Sequence, residues 1–471
     1  MAKTTTTLNT DVCVVGGGPA GSTIACRLAA LGFDVCVIDS GQARRSHTVA
    51  SLPRSILPLL ESFGARDVIE NAGFLRQKHT VVWWSEAEPV VRDDPASRGL
   101  IVGRERFDRL LLRHAEIGGA KVFQPAAAEK PARTEGRGWI VKFRHEGRLK
   151  EIGARILVDA SGGRRIVPGK RLRGSPPLIA LYAWWEGARV SETNGFVEAG
   201  PEEWLWYTPA DETRAIAAVF IDPKRLSKTS DDDIGSLYHS LLARFKLFPA
   251  NGLRIGAGGV SACDASSRFS ADPAGKDFVR VGDSFLSLDP LSSQGIQSAV
   301  ASGLQAAIVV NTLLRSPENS ESAIRFYRER QQEKIERYAA GTAGFYGERA
   351  KISKSRFWTD RAAPENVSLA TEFERRPFFD HYRIKLSGAA RINSIPVIKG
   401  DLIVSAPALH HDLLDRPAAF LGGVELVPLL GAIQTGRTAA SVIGDWSARV
   451  SPQMAREIMN WLWTRKIVVP G

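Results

Sequence analysis

DVCVVGGGPAGSTIACRLAALGFDVCVIDSG, residues 11–41, is the stretch whose reading decides the fold. An apolar run from Val12 to Val15 enters a glycine turn, an Ala- and Leu-rich segment of helical character follows, and a second apolar run ends at Asp39. Strand, tight turn, helix and strand in this order make a β-α-β unit, with Gly16, Gly18 and Gly21 in the G-x-G-x-x-G spacing around Pro19 and Ala20. The first glycine permits the turn, the second lets backbone approach a pyrophosphate, and the third lets the helix pack closely on the strand. Asp39, at the end of the second strand, is placed to accept hydrogen bonds from a ribose. A glycine turn of purely structural purpose is the alternative, but strand, helix and terminal acid agree on a dinucleotide site.

The rest of the chain sets the scale. Its 471 residues, 44% apolar and 24% charged, can bury a substantial core and predict two or three domains. The formal charge of +11 steers acidic partners toward the molecule, yet no nucleic-acid-binding motif accompanies it. Cys13, Cys26, Cys36 and Cys263 lack C-x-x-C spacing and read as small buried residues of a reducing compartment, neither disulfides nor metal ligands. The N-terminal MAKTTTTLNTD has no signal-peptide core, and the apolar run FLGGVELVPLLGAI is interrupted by Glu425 and too short to span a bilayer, so no transmembrane segment and a cytoplasmic location are expected.

Two distant segments bear on which dinucleotide is bound. ARILVDASGGRR (154–165) runs a strand into Asp159, and FVRVGDSFLSLDPLSSQGIQSAVASGLQAA (278–307) runs a strand into Gly282-Asp283, a loop with Pro290, and a small-residue helix opened by Gly295. Free N–H groups at that helix start could face an anion or an electron-rich ring. Together these pieces resemble the FAD fingerprint of the superfamily of flavoprotein hydroxylases, flavin-dependent halogenases and geranylgeranyl reductases, over residues 10 to 330. VGRERFDRLLLRHAE (102–116) is similar to that superfamily's helix whose arginine, here Arg104, reaches the cofactor. The resemblance implies FAD, with Asp39 at the adenosine ribose, Asp283 at the ribitol and pyrophosphate side, and Gln294, Gly295 and Ile296 at the isoalloxazine.

Between the flavin segments, LIALYAWWEG (178–187), EEWLWYTP (202–209) and TRAIAAVFID (213–222) alternate apolar and polar residues and are rich in aromatic or β-branched types, which predicts antiparallel strands. The resemblance makes that sheet the roof of a substrate cavity. The expected fold is α/β: a discontinuous Rossmann-like FAD-binding domain (1–71, 101–174, 266–330), an antiparallel substrate-binding sheet (72–100, 175–265) and a mainly helical C-terminal domain (331–471). Residues 319–341 read as a capped, solvated surface helix, and 347–366, basic and broken by Pro364, as a linker or exposed loop. In SPQMAREIMNWLWTRKIVVPG, Ser451 is a good N-cap with Pro452 after it and an apolar stripe at helical spacing. This end loosely resembles a winged-helix module.

WLWYTP (204–209) resembles the W-x-W-x-I-P signature of tryptophan halogenases, with Thr208 in place of Ile. Two departures count against halide chemistry. Halogenases of this type carry a small Ser or Thr before the flavin-loop glycine, where this chain has Gln294. Their lysine has no secure match either, Lys78 in FLRQKHTVVWW being the nearest and a weak catalytic candidate. Trp83, Trp84, Trp204, Trp206 and Pro290 are the residues expected to line the cavity.

Three reactions compete on this scaffold: oxygen transfer to an electron-rich ring, halogenation, and geranylgeranyl-type reduction of a prenyl lipid. A non-catalytic flavin-binding chaperone is a fourth reading. Hydroxylation leads, and the lack of an obvious acid/base pair is no difficulty for it, because indole carbon is itself the nucleophile. Size, halogenase-like core and appended C-terminal domain resemble the flavoprotein monooxygenases that mature tryptophylquinone cofactors. That resemblance implies a peptide or protein substrate and O2 as oxidant, and the positive charge of the chain makes an acidic substrate the expected one. A second G-x-G-x-x-G after a strand is missing, so electrons are expected from transient NAD(P)H contact or a partner flavin reductase.

Overall fold

A computed structural model describes residues 7–41, 48–77, 79–92, 99–134, 138–187, 194–226, 233–362, 379–433 and 436–471. The chain divides into two compact units, Met1–Asn311 with Tyr327–Asn366, and Thr312–Phe326 with Val367–Gly471. The division drawn from composition at residue 330 therefore differs from the compact one, which places most of the long helix near 320–350 with the flavin segments.

In the first unit, β1 (Thr7–Val15), α1 (Pro19–Ala30) and β2 (Val35–Ile38) form the expected β-α-β unit. The chain continues through β3 (His79–Trp83), α2 (Arg104–Ile117) and β4 (Arg148–Asp159). A second run of strands follows: β5 (Ile179–Glu186), β6 (Asn194–Ala199), β7 (Glu203–Pro209), β8 (Arg214–Ile221) and β9 (Arg254–Asp264). The chain then returns through β10 (Phe278–Arg280) to α3 (Gly295–Arg315), α4 (Ser320–Ile352) and α5 (Arg356–Thr359).

β10, β4, β1, β2 and Lys121–Phe123 lie side by side and parallel, with an antiparallel extension on the outer half of β4. Helix α1 is buried on most sides because its small residues lie close against neighbouring backbone. This central position of β1 puts the glycine turn at the carboxyl ends of the strands, where open α/β sheets bind ligands.

The sheet expected to form a roof has seven strands, in the order β9, β5, β8, β7, β6, β3 and Val90–Arg92. It is antiparallel except where β6 pairs with β3 in parallel, an exception that the antiparallel expectation did not include. Leu205 and Tyr207 pack toward a helix, Ile234–Leu242, while Trp204 and Trp206 share the other face, as period-two alternation requires.

The second unit contains β11 (Arg383–Leu386), a long hairpin of β12 (Arg391–Lys399) and β13 (Leu402–His410), then α6 (Ala439–Trp446), α7 (Pro452–Thr464) and β14 (Val468–Pro470). Ser451 caps α7 through its hydroxyl, which accepts the Met454 amide at 3.2 Å. Ile458, Met459 and Leu462 of that helix are fully buried with Val442 and Trp446. The strands here add sheet structure that the C-terminal apolar pattern did not signal.

Helix α3 is long and apolar enough to cross a bilayer by composition, but most of its residues are buried in the molecule, as in the core helix of a globular fold. None of the four cysteines forms a disulfide; three are buried, and Cys263, read from the sequence as buried, is exposed because it lies on edge strand β9.

Candidate functional site

Gly16 adopts φ +110°, and a Cβ there would stand 2.2 Å from the Ala160 carbonyl oxygen; on Gly21 it would stand 1.9 Å from the Gly16 oxygen. A Cβ on Gly18 would meet nothing within 4 Å, so that backbone faces open space. Two glycines thus serve packing and the third leaves a cradle, the division of labour that a pyrophosphate needs. Pro19 opens α1 and Ala20 is buried against Gly282.

Asp39 stands at the end of β2. Its Oδ2 accepts the Gly17 amide at 2.7 Å, and its Oδ1 accepts the Gly41 amide at 2.9 Å and Gln124 Nε2 at 2.7 Å. Gln124 was not legible as part of the site, because nothing in its local sequence marks it.

Across the sheet, buried Asp159 accepts Ser161 Oγ at 2.6 Å and the Val167 amide at 3.1 Å, fixing the turn after β4. The Ser284 hydroxyl donates to the Asp159 carbonyl, so the turn after β4 and the Gly282–Ser284 turn carrying half-buried Asp283 are joined. Arg104, at the start of α2, is gripped by Asp108 one turn on, at 3.1 and 2.9 Å. Lys78 lies outside the described residues.

The loop before α3 is braced from within. Asp289 Oδ1 accepts the Leu291 amide at 3.0 Å, Ser293 N–H donates to the Pro290 carbonyl at 2.9 Å, and Ser293 takes a left-handed φ of +50°. Residues held in that region cluster at ligand clamps. Gly295 is exposed and Ile296 buried. The first helical bond runs from Ser298 N–H to the Gln294 carbonyl, which leaves the amides of 295–297 without a helical acceptor.

The aromatic residues separate into two sets. Trp204 is 1% exposed, stacked on Phe220 at 3.8 Å, with Trp84 edge-on at 6.3 Å and Tyr346, Phe357 and Trp358 in the same cluster. Trp84 donates its indole N–H to the Phe345 carbonyl at 2.8 Å. These two are core, which corrects the expectation that they line a cavity: the end of α4 and α5 fill the space beside them. Trp83 pairs across the ladder with Glu198, under the Lys246 ammonium at 4.9 Å, and so lies on the sheet face opposite Trp204 and Trp206. Trp206 remains half-buried and packs with Tyr182 and Trp184 beside Val49, Ile101 and Ile216. Pro290 is half-buried.

The segment read as a solvated helix and an exposed linker is largely buried on one side. Three tyrosines of α4 reach the flavin segments: the Tyr327 hydroxyl donates to the Arg280 carbonyl at 2.9 Å, Tyr338 to Gln294 Oε1 at 3.0 Å, and Tyr346 to Asp289 Oδ2 at 3.2 Å. Between them Lys334 is buried, and burial pulls its ammonium down to about 8. Dense charge on the outer side of α4 masked this inner stripe in the sequence. Basic residues likewise masked Phe357, Trp358 and buried Arg361. Asp289 is the other missed residue; burial pushes its carboxyl up to about 6, against hydrogen bonds from Leu291 and Tyr346 and the charge of Arg361.

An open cradle at Gly18, close-packed Gly16 and Gly21, an acid at the end of β2 and a helix start of unpaired amides fit an FAD. A family model for an FAD binding domain matches residues 9–171, and one for tryptophan halogenase matches 91–377. Tryptophan 2-halogenase of Chondromyces crocatus is 31% identical over 380 residues, 74% of this chain and 70% of that protein. Among solved structures, the peptidyl tryptophan dihydroxylase QhpG, essential for tryptophylquinone cofactor biogenesis, superposes with a TM-score of 0.77 at 24% identity, covering 97% of this chain and 99% of that one. The flavin-dependent halogenase CmlS superposes with a TM-score of 0.78 at 18% identity, covering 98% and 96%.

Proposed function

The chain belongs to the tryptophan halogenase family of FAD-dependent oxidoreductases, and on that premise we propose that it is a monooxygenase that hydroxylates an electron-rich aromatic ring, a tryptophan side chain of a peptide or protein during quinone cofactor biogenesis. The observation that carries this reading is Gln294: a long carboxamide, held by the Tyr338 hydroxyl at 3.0 Å, stands before Gly295 where the halogenase pattern has a small Ser or Thr. A fixed side chain there opposes a halide site. The end-to-end likeness to a peptidyl tryptophan dihydroxylase supports the substrate class.

FAD, when bound and reduced, supplies the activation of O2; NAD(P)H or a partner reductase supplies the electrons. The glycine turn and Asp39 hold its adenosine half, and Asp283 and the amides of 295–297 meet its other half. Trp206, Trp184 and Tyr182 present a half-buried aromatic wall on which an indole can stack. No strong base is required of the protein, whose work is to orient the ring and exclude water. The net charge of +11 favours an acidic substrate.

Halogenation is the second reading, favoured by the 31% identity to a tryptophan halogenase. The test is to reconstitute the chain with FAD, reduce it, and admit oxygen with tryptophan-containing acidic peptides, with and without bromide. A mass gain of one or two oxygen atoms supports hydroxylation. A bromide-dependent adduct establishes the second reading, and turnover of prenyl lipids without oxygen overturns both.

A further inference from the structure

Asp289 opens the loop that leads to Gly295, and it is 4% exposed. Its carboxylate is met from within the loop by the Leu291 amide at 3.0 Å and from outside by the Tyr346 hydroxyl, at 3.2 Å to Oδ2 and 3.4 Å to Oδ1. Its backbone carbonyl accepts both Ser292 N–H at 3.1 Å and Ser292 Oγ at 2.9 Å. Tyr346 in turn is locked among Trp84, Trp358 and Phe357, with ring centroids 6.4, 5.9 and 6.5 Å away. One hydrogen-bonded pair thus connects the flavin loop to the aromatic core under the roof.

We propose that Asp289 and Tyr346 are positioning residues that set the conformation of the loop 289–295, so that the loop's hold on the flavin depends on the proton at Asp289. The proposal deepens the flavin reading above and rests on it. A carboxylate withdrawn from water persists only where donors reach it, and here the donors come from two different elements. Ionised, Asp289 accepts from both the Leu291 amide and the Tyr346 phenol and holds the turn closed. Protonated, one of its oxygens becomes a donor, the loop loses an acceptor, and Tyr346 no longer pulls the turn toward α4. Arg361, after α5, adds an attractive charge, and burial places the change near pH 6.

The experiment measures FAD dissociation from the full-length chain by flavin fluorescence, from about pH 5 to about pH 8. The wild type is expected to bind about fivefold tighter above the inflection than below it, the worth of one net hydrogen bond. Asp289→Asn is expected to flatten the profile. Tyr346→Phe is expected to keep the inflection and move it to higher pH, because the phenol favours the ionised carboxylate. A merely structural role would weaken binding equally at every pH, and that result in Tyr346→Phe overturns the proposal. An inflection retained in Asp289→Asn overturns it too. If Asp289→Asn does not fold, Tyr346→Phe, which removes one oxygen, decides alone. A wild type that binds no FAD at any pH overturns the flavin reading itself, a distinguishable failure.

Discussion

The Gly17 amide donates to Asp39 Oδ2 at 2.7 Å, so the acid at the end of β2 shapes the very glycine turn that the proposed FAD site is built on. Hydrogen bonds to a charged group contribute roughly 1.5–3 kcal/mol. Asp39→Ala is expected to weaken FAD binding at least about tenfold, read by fluorescence titration, with the fold retained by circular dichroism. Unchanged affinity would place the dinucleotide elsewhere.

The glycines of the turn separate by role. Gly21→Ala drives a methyl to within 1.9 Å of a backbone oxygen that cannot move aside. Overpacking of this kind costs about 1–3 kcal/mol or more, and a lowered Tm without FAD present is the expected outcome. Gly18→Ala meets nothing in the protein; its Tm should match the wild type while FAD affinity falls. Equal Tm values for the two variants would refute the assignment.

Trp204 and Trp206, two residues apart on one face of β7, are expected to respond differently to truncation. Trp204→Ala empties a buried stack and should cost about 3–5 kcal/mol in urea denaturation. Trp206→Ala should cost less stability and raise KM for a tryptophan-containing peptide with a smaller effect on kcat. A pure stability loss in Trp206→Ala would remove it from the substrate wall.

Asp289 makes stability depend on pH with a definite sign. Its carboxyl is raised from an ordinary 3.8 to about 6, so the folded state binds the proton more tightly than the unfolded one. The resulting contribution is complete below pH 3.8, falls as the pH rises, and is lost through about pH 6. The gap corresponds to about 3 kcal/mol. Asp289→Asn should therefore gain stability relative to the wild type between about pH 4 and about pH 7 in paired urea titrations. A constant difference across that window would contradict the buried, ionisable carboxylate.

Gln294→Ser restores the small residue of the halogenase pattern and frees Tyr338. Bromide is expected to perturb the visible flavin spectrum of this variant and leave the wild-type spectrum unchanged. An equal response in the wild type would remove the main argument against halide chemistry.

The β-α-β unit, Asp159, Gly282-Asp283, the start of α3 and the strands β5, β7 and β8 were legible because each couples a periodicity to a turn residue. The paired face of Trp204 and Trp206 followed from period two. What fills that face did not, because Tyr346, Phe357 and Trp358 arrive from residues more than a hundred positions away in a stretch dense with Arg and Lys. Local composition reported the solvent side of α4 and hid its inner stripe. Asp289 escaped for a related reason: Asp-Pro reads as an ordinary turn opening, and only tertiary contact shows that its carboxylate is buried.

Helix α4 also works as a ruler. Tyr327, Tyr338 and Tyr346 bond to Arg280, Gln294 and Asp289 from a single rigid rod, and at 1.5 Å per residue the outer two stand about 28 Å apart along it. One residue added or removed between them would turn the far hydroxyl by about 100° and shift it by about 1.5 Å. Substitutions on the solvent side of this helix are therefore open to drift, whereas its length between Tyr327 and Tyr346 is not. Any gap there in a related chain marks a flavin loop that is anchored in another way.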